Sequence, residues 1–339
     1  MKFGFCRTLI TVVLFATLPI GAARAQGGVE ELLRAGDDAS KLIEGYTKPV
    51  LISLAMGVNQ GWYNTAKPHK SLGFDFTVTV STIFVPENEY FYQPSTLGLQ
   101  SVQLASPTDG NAPTVFGPDV TPVYRYTAAP GVTFNGPAGL NPPKVFGERI
   151  MPAAVYNLGI GIIKDTDIRL RLLPNTEFGD KNYARLFGIG IMHDVKQYIP
   201  GIKALPFDLS VFGAFTKFEA QVNLEGTFAS NGTEQLGQYS INAWTVQALI
   251  SKKISVLTFY GGVGYNSGST AMDVTGSYDI GATPIGNLTL VDPVSIDLRE
   301  SSFRSTLGMR LKLGVLTLHG DYTIQKRKVF STGVGISFR

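Results

Sequence analysis

The sequence predicts an all-β protein: a transmembrane antiparallel β-barrel that follows a short N-terminal helical segment. Three observations lead to this prediction: a C-terminal strand with one apolar face, the same alternation in many earlier segments, and an apolar composition without a long apolar run. Hydrophobic residues make up 44% of the 339-residue chain and charged residues only 16%, whereas about a quarter of residues are usually charged. A barrel explains this composition, because its lipid-facing residues alternate with polar or small ones.

The first 25 residues have the pattern of a cleaved signal peptide. Basic residues precede an apolar run over residues 8–20, and an A-x-A cleavage site ends at Ala25. The single cysteine, Cys6, lies in this segment, so the mature chain is expected to have neither a disulfide nor thiol chemistry. The segment also carries the whole net charge of +3, and a neutral mature chain gives no reason to expect nucleic acid as a partner. The predicted location is the outer membrane of a Gram-negative bacterium.

Residues 26–49 are predicted to form one or two short amphipathic helices, because apolar residues recur there at helical spacing and Pro49 closes the segment. Three interpretations remain open for this segment. It packs on the rim of the barrel, it folds into the lumen as a plug, or it is disordered.

The barrel is predicted to occupy residues 50–339. Apolar residues alternate with polar or small ones in eleven segments of about the length that crosses a membrane. These segments lie within 50–64, 74–81, 155–162, 167–172, 187–191, 207–215, 244–250, 257–264, 306–311, 316–324 and 329–339. Because bacterial barrels have an even number of strands, either 50–64 is not a spanning strand or further strands lie in the long connections. We predict about twelve strands, with a range of ten to fourteen.

The last segment, 329–339, carries the clearest pattern. Its apolar residues are opposed almost entirely by serine and glycine, as expected for a strand with lipid on one side and a lumen on the other. These apolar residues are Phe330, Val334, Ile336 and Phe338. An aromatic residue next to the C-terminus also resembles the signal that the barrel-insertion machinery recognises. The predicted partners are therefore this machinery and the lipids of the outer membrane.

The connections between the predicted strands are of two kinds. Tight turns are expected near residues 164–165, 252–253 and 312–314, and long polar stretches over 86–150, 219–238 and 268–301. Outer-membrane barrels have short periplasmic turns and long extracellular loops. The long stretches are therefore expected outside the cell.

The candidate functional residues are six charged side chains that strand parity directs into the lumen. They are Arg169, Arg171, Arg304, Arg310, His319 and Asp321. Such charges can contact a solute, or they can form a network that fills a narrow barrel, and both interpretations remain open.

His319 and Asp321 also share a strand face, which raises a minority hypothesis of hydrolase activity. The sequence shows no distinctive nucleophile motif and no metal-binding spacing. We therefore predict no enzyme, no catalytic, cofactor-binding or metal-binding residues, and no cofactor. Aromatic residues near predicted strand ends, among them Trp62, Tyr63 and Tyr265, are expected to form interfacial girdles.

The sequence also resembles known outer-membrane barrels. The resemblance is carried by the signal peptide, the helical prelude, G-W-Y-N-T-A-K at 61–67 followed by L-G-F-D-F-T-V at 72–78, and the G-I-S-F-R end. Together they resemble an outer-membrane barrel family of uncharacterised function and, more distantly, the long-chain fatty-acid transporter (FadL-like) superfamily. The second resemblance implies an N-terminal plug and the passage of hydrophobic molecules, and it assigns no ligand-binding residue here.

From these features we expect a passive channel or transporter for a small hydrophobic or amphiphilic solute, which would be the protein's small-molecule ligand. The alternative is a structural or assembly-associated barrel whose long extracellular loops are its working surface.

Overall fold

The structure is a computed structural model that describes residues 28–202, 204–225 and 232–338. The predicted signal peptide, residues 1–25, lies outside this part of the chain. Among the described residues, no helix is both long and apolar enough to cross a membrane.

Within the part of the chain that the structure describes, ten antiparallel strands close into a barrel, which confirms the predicted fold class. Each strand pairs with the next one along the chain, and the first pairs with the last, so that the barrel has no open edge. The strands are β1 (Phe74–Val85), β2 (Glu148–Gly161), β3 (Thr166–Glu177), β4 (Tyr183–Asp194), β5 (Asp208–Asn223), β6 (Leu236–Ile254), β7 (Leu257–Thr275), β8 (Val294–Leu313), β9 (Leu316–Ile324) and β10 (Val329–Phe338). Ten is the lower end of the predicted range and two below the favoured twelve.

Each barrel strand coincides with one of the alternating segments, but the segment at 50–64 does not form a strand. Helix α1 (Ala39–Gly57) runs through it, and the barrel begins at Phe74, not at residue 50. Pro49 lies inside α1 and does not end it. Its carbonyl accepts hydrogen bonds from the hydroxyl of Ser53 and the guanidinium of Arg327, which fix the backbone next to the ring.

The outer wall of the barrel is apolar and the inner wall is polar. Along β10, Phe330, Val334, Ile336 and Phe338 are exposed, whereas Ser331 and Ser337 are buried. The same alternation exposes large apolar side chains all around the barrel, among them Phe76, Leu158, Leu172, Ile189, Phe215, Val246, Val263, Leu307 and Leu318. An apolar outer belt on a closed barrel is the surface that meets lipid in a transmembrane barrel.

The two ends of the barrel differ, and we name them by their connections. The short-turn end carries the tight turns at 162–165, 255–256 and 314–315, together with the connection 195–207. The long-loop end carries the connections 86–147, 224–235 and 276–293.

Strands β6, β7 and β8 are longer than the sequence predicted. They have 19, 19 and 20 residues, although about 10 residues suffice to cross a bilayer. Parts of the stretches 219–238 and 268–301, predicted as loops, therefore belong to the barrel strands and lengthen them toward the long-loop end.

A cap of shorter elements covers the long-loop end. It contains a three-stranded sheet, a hairpin, two further strand pairings and short 3₁₀ helices. The strands are Val102–Ser106, Val123–Tyr126 and Thr133–Asn135 in the sheet, Ser277–Thr283 and Gly286–Val291 in the hairpin, Phe91–Tyr92 with Ala112–Pro113, and Lys144–Val145 beside β2. The 3₁₀ helices are Glu87–Glu89 and Pro94–Thr96, and a further one, Lys196–Tyr198, lies at the short-turn end.

Candidate functional site: the filled lumen

One N-terminal segment, residues 28–73, runs from the cap through the barrel, and we call it the plug. It begins with the 3₁₀ helix Glu30–Asp38, continues as α1, and ends as an irregular stretch over 58–73. The 3₁₀ helix and the first half of α1 pack into the cap, while the second half of α1 and residues 58–73 run through the lumen toward the short-turn end. Most of the material inside the barrel therefore comes from residues 50–73, whereas the sequence placed the candidate plug at 26–49.

Arg171 on β3 contacts the plug through both its charge and its hydrogen-bond donors. Its guanidinium lies 3.7 Å from the ring centre of Trp62 and donates hydrogen bonds to the backbone carbonyls of Val58 and Gln60. Its Nε donates to the side chain of Asn157, which in turn donates to the carbonyl of Gly61. Arg171 and Asn157 together thus hold three backbone carbonyls of the irregular stretch beside Trp62, those of residues 58, 60 and 61.

Arg304 and Arg310, both on β8, hold the plug in the same way. Arg304 donates to the backbone carbonyl of Asn59 at 3.1 Å and to the side-chain oxygen of Gln60 at 2.9 Å. Arg310 donates to the side-chain oxygen of Asn64 at 3.0 Å. The wall arginines are thus bound largely by uncharged oxygen atoms of the plug.

Arg169 belongs to a buried ionic cluster nearer the short-turn end. It donates to the carbonyl of Trp62 at 2.9 Å and to the carboxylate of Asp167 at 3.3 Å. Asp167 also accepts hydrogen bonds from the backbone N–H and from the ring Nδ1 of His69, at 2.6 and 2.8 Å. Asp75 completes the cluster, 3.8 Å from Arg169 and 3.9 Å from His69. This cluster binds the part of the plug nearest the short-turn end to the wall.

His319 and Asp321 lie on the inner wall but do not form a pair. A ring nitrogen of His319 lies 3.2 Å from the hydroxyl of Thr79, and Asp321 accepts a hydrogen bond from the hydroxyl of Tyr260 at 2.9 Å. The His–Asp arrangement that would orient an imidazole as a general base is thus not formed by these contacts.

An apolar patch on the wall lies beside the arginines. Met192, Phe212, Leu249 and Tyr260 project inward from β4, β5, β6 and β7, and they pack against Trp62 and Tyr63 of the plug. The ring centres of Trp62 and Phe212 are 5.9 Å apart, and those of Tyr63 and Phe212 are 5.6 Å apart. The hydroxyl of Tyr63 donates to Gln247 at 2.6 Å. The lumen therefore offers cationic and apolar surface side by side.

These contacts correct the interfacial role that the sequence suggested for Trp62 and Tyr63. Both residues are buried inside the barrel, because 50–64 is not a spanning strand. Tyr265 does lie on the outer wall, where it neighbours Trp244 and Phe303.

Glycine residues on the inner wall leave room for the side chains and backbone of the plug. A Cβ atom at Gly188 would lie 3.1 Å from the ring of Trp62, and one at Gly161 would lie 2.3 Å from the backbone oxygen of Lys70. Larger side chains at these positions would collide with the plug. The small-residue face of the predicted strands is therefore the surface on which the plug rests.

The six predicted lumen residues all lie inside the barrel, with at most 7% of any of them exposed. Sequence parity found the wall residues but not their partners in the plug, because the plug residues were assigned to a strand. Within the described residues, no group of three or more His, Cys, Asp or Glu side chains is placed to hold a metal ion.

Comparison with known proteins gives the family of this chain, whereas the similarity to solved structures is low. Solved structures of β-barrels align with it at low similarity. Ail of Yersinia pestis, in complex with a heparin analogue, is 13% identical, with 51% of this chain and 94% of Ail covered and a TM-score of 0.25. The translocator domain of the autotransporter NalP from Neisseria meningitidis is 12% identical, with 86% and 94% covered and a TM-score of 0.28. OprB of Pseudomonas putida is 8% identical, with 78% and 91% covered and a TM-score of 0.15.

The chain belongs to DUF6588, a family of unknown function whose model matches residues 2–338. No curated protein matches it. The distant resemblance to the FadL-like superfamily finds no support in these comparisons, and the low TM-scores of the structural neighbours assign no role to any residue.

Proposed function

We propose that this protein is a gated passive channel of the outer membrane of a Gram-negative bacterium, and that it admits small amphiphilic solutes bearing a negative charge. The observation that carries the proposal is the lining that the plug occupies. Trp62 sits between an arginine and an apolar patch, while backbone oxygens of the plug take up the arginine N–H groups.

The plug occupies this lining as a bound solute would. An amphiphilic anion would place its apolar part against Met192, Phe212, Leu249 and Tyr260, where Trp62 and Tyr63 now lie. Its carboxylate or other acidic group would replace the plug oxygens on the arginines, because guanidinium groups bind planar anions in a two-pronged geometry. A purely hydrophobic solute, the other class expected from the sequence, fits this wall less well.

The charge of the wall supports the choice of an anion. Among the described residues, no carboxylate lies within salt-bridge distance of Arg171 or Arg304. Their N–H groups are bound instead by plug carbonyls, by amide oxygens and by the hydroxyl of Thr306. When the plug moves, these two cations lose the oxygen atoms that bind them and face the lumen, where arginine side chains favour the passage of anions.

The interface between plug and wall suits a segment that moves. Hydrogen bonds form much of this interface, and water can replace each of them as the plug leaves. The plug as described fills the lumen, so the resting state is closed and conduction requires its displacement. The same proposal assigns the protein no enzymatic activity and no cofactor. Its proposed partners are membrane lipids and the barrel-insertion machinery, which recognises the C-terminal strand.

A structural role with the cap as the working surface is the second candidate. It is favoured by the cap itself, which has its own buried core where the plug helices meet Tyr124, Tyr126, Phe134 and Tyr278. In that case the plug stays in the lumen permanently, and its helices stabilise the cap by packing against it.

Ion conduction separates the two functions. We would reconstitute the parent protein and a variant that lacks residues 28–64 into planar bilayers, and measure conductance and the reversal potential in a salt gradient. The channel proposal expects rare openings in the parent, open steps in the truncated variant, and anion selectivity in those steps. A truncated barrel that folds but stays silent would rule out a conducting lumen and favour the structural role.

The source of the selectivity is tested by charge removal. Replacing Arg171 and Arg304 together by glutamine in the truncated variant should shift the reversal potential toward zero. The matched control is Arg185→Gln, which removes an exposed arginine that pairs with Glu219 on the barrel exterior. An equal shift in the control would show that the lumen arginines do not set the selectivity.

A further inference from the structure

We infer that Gly28, the first described residue of the plug, lies outside the cell, so that the polypeptide crosses the outer membrane once more, inside its own barrel. This inference concerns the path of the chain and holds whether or not the barrel conducts.

The plug contacts the wall in a one-way sequence from the long-loop end to the short-turn end. The carbonyl of Leu51 accepts a hydrogen bond from Thr270, and Asn59 donates to the carbonyl of Ser267. Both partners lie in the half of β7 that is nearer the long-loop end. Further along the plug, the backbone N–H of Ala66 donates to Ser251, three residues before β6 ends at the short turn.

The last plug residues reach the short-turn end. The backbone N–H of Leu72 donates to the carbonyl of Gly161, the final residue of β2. Phe74 then opens β1 directly opposite Phe338, and their rings stack with centres 5.0 Å apart. Residues 51 to 72 thus traverse the barrel once, with no return.

The first plug residues are fastened to the cap at the opposite end. Leu32 and Leu33 are buried with Tyr124 and Tyr278, which belong to the long connections. Asp38 accepts hydrogen bonds from the backbone N–H groups of Gln100 and Ser101 at 2.8 and 2.7 Å, and its side chain is buried. These contacts hold the N-terminal end of the described chain on the far side of the barrel from Phe74.

Counting crossings gives the consequence. Ten strands return the chain to the side from which β1 started, so Phe74 and Phe338 share one end of the barrel. The plug adds an eleventh crossing, and therefore Gly28 and Phe338 lie on opposite sides of the membrane. Since long loops face outward and short turns face the periplasm in outer-membrane barrels, the N-terminal end is the external one. A plug that folded in from the periplasm as a hairpin would keep both of its ends at the short-turn end.

Cysteine labelling in intact cells tests this topology, because residues 26–339 contain no cysteine and Cys6 lies in the predicted signal peptide. Three exposed aspartates or lysines provide the sites: Asp37→Cys in the plug, Asp109→Cys in the cap as an external reference, and Lys253→Cys at the short-turn end as a periplasmic reference. Exposed positions of this kind tolerate substitution with little change in stability. The probe is a polymer-linked maleimide that cannot cross the outer membrane.

We expect D37C to react in intact cells to the same extent as D109C, and K253C to react only after the outer membrane is permeabilised. Protection of D37C in cells where D109C reacts would place the N-terminal end inside and overturn the inference. Reaction of K253C and protection of D109C would show the barrel inverted and overturn it too. All three variants must react fully in detergent, which checks that each thiol is accessible in the folded protein.

Discussion

Truncation of Trp62 to alanine is the sharpest test of the idea that the plug gates the lumen. Trp62 is 1% exposed, and its ring lies against the guanidinium of Arg171 and the ring of Phe212. The change leaves the barrel strands untouched, because Trp62 lies before Phe74. It therefore weakens the docking of the plug without weakening the hydrogen bonds that close the barrel.

The size of the effect follows from the burial of this side chain. Replacing a buried Trp by Ala costs about 3–5 kcal/mol in protein cores, and the cation–π contact with Arg171 is part of that loss. At about 1.4 kcal/mol per factor of ten, the equilibrium between docked and displaced plug shifts by about two to three and a half orders of magnitude. The open fraction of the channel should rise by up to this factor.

Single-channel recording measures this fraction, and two variants serve as controls. Phe303→Ala removes an aromatic ring that is 79% exposed on the outer wall, so it should leave the open probability at the parent value. Trp62→Phe keeps an apolar ring in the pocket. Since the indole Nε1 of Trp62 has no protein hydrogen-bond partner among the described residues, the phenylalanine variant should stay close to the parent. A W62A protein that folds and opens no more often than the parent would refute the gating role of the plug.

Three further predictions follow from the structure. Gly188→Leu should displace the plug and raise the open probability, because even a Cβ atom at this position would lie 3.1 Å from Trp62. Gly213→Leu is the control, since a Cβ atom there would meet nothing within 4 Å, and it should leave the open probability unchanged. Equal open probabilities in the two variants would contradict the predicted collision. Burial raises the pKa of Tyr124 in the cap to about 12, a shift that its hydrogen bond with Tyr92 partly offsets. The unfolded phenol ionises near pH 10, so the docking of the cap should keep its full stability below pH 10 and lose it as the pH rises toward 12. This loss, measured by proteolysis of the cap, should be smaller in a Tyr124→Phe variant. Finally, boiled and unboiled samples in detergent should migrate differently on a gel, and a single band position would count against a closed barrel.

The sequence was informative about the strands because lipid and lumen impose opposite chemistry on alternate residues. Every barrel strand therefore left a period-two pattern, and the inward direction of Arg169, Arg171, Arg304 and Arg310 followed from parity. The alternation of apolar and polar residues was weaker in the parts of the strands nearest the long-loop end. The parts of β7 and β8 nearest the long-loop end expose polar side chains, among them Ser295, Asp297 and Arg299, so residues 268–301 looked like a polar loop.

The plug was misassigned for a related physical reason. A helix on a protein surface has one apolar stripe, and that stripe gives the 3.6-residue period. Helix α1 is enclosed by cap and wall, and its second half buries Leu51, Ile52, Ala55 and Met56 against different neighbours. With no polar face left to mark the helical period, the alternation over residues 52–58 resembled a strand. The contacts of Trp62 could not follow from a sequence in which it belonged to the wall.

The choice between a solute-contacting wall and a merely structural network can be argued from the cost of buried charge. Removing a guanidinium from water costs several kcal/mol, and exchanging buried ionic groups for well-packed apolar residues is often neutral or stabilising. A lumen that only needed filling would therefore not need Arg171 and Arg304, since apolar residues often fill such a space at least as stably. Both are buried, and both depend on oxygen atoms of a segment that the barrel does not need for closure. Under the proposed channel function, the acidic group of the anionic solute supplies a second set of oxygen atoms that binds these cations when the plug is displaced.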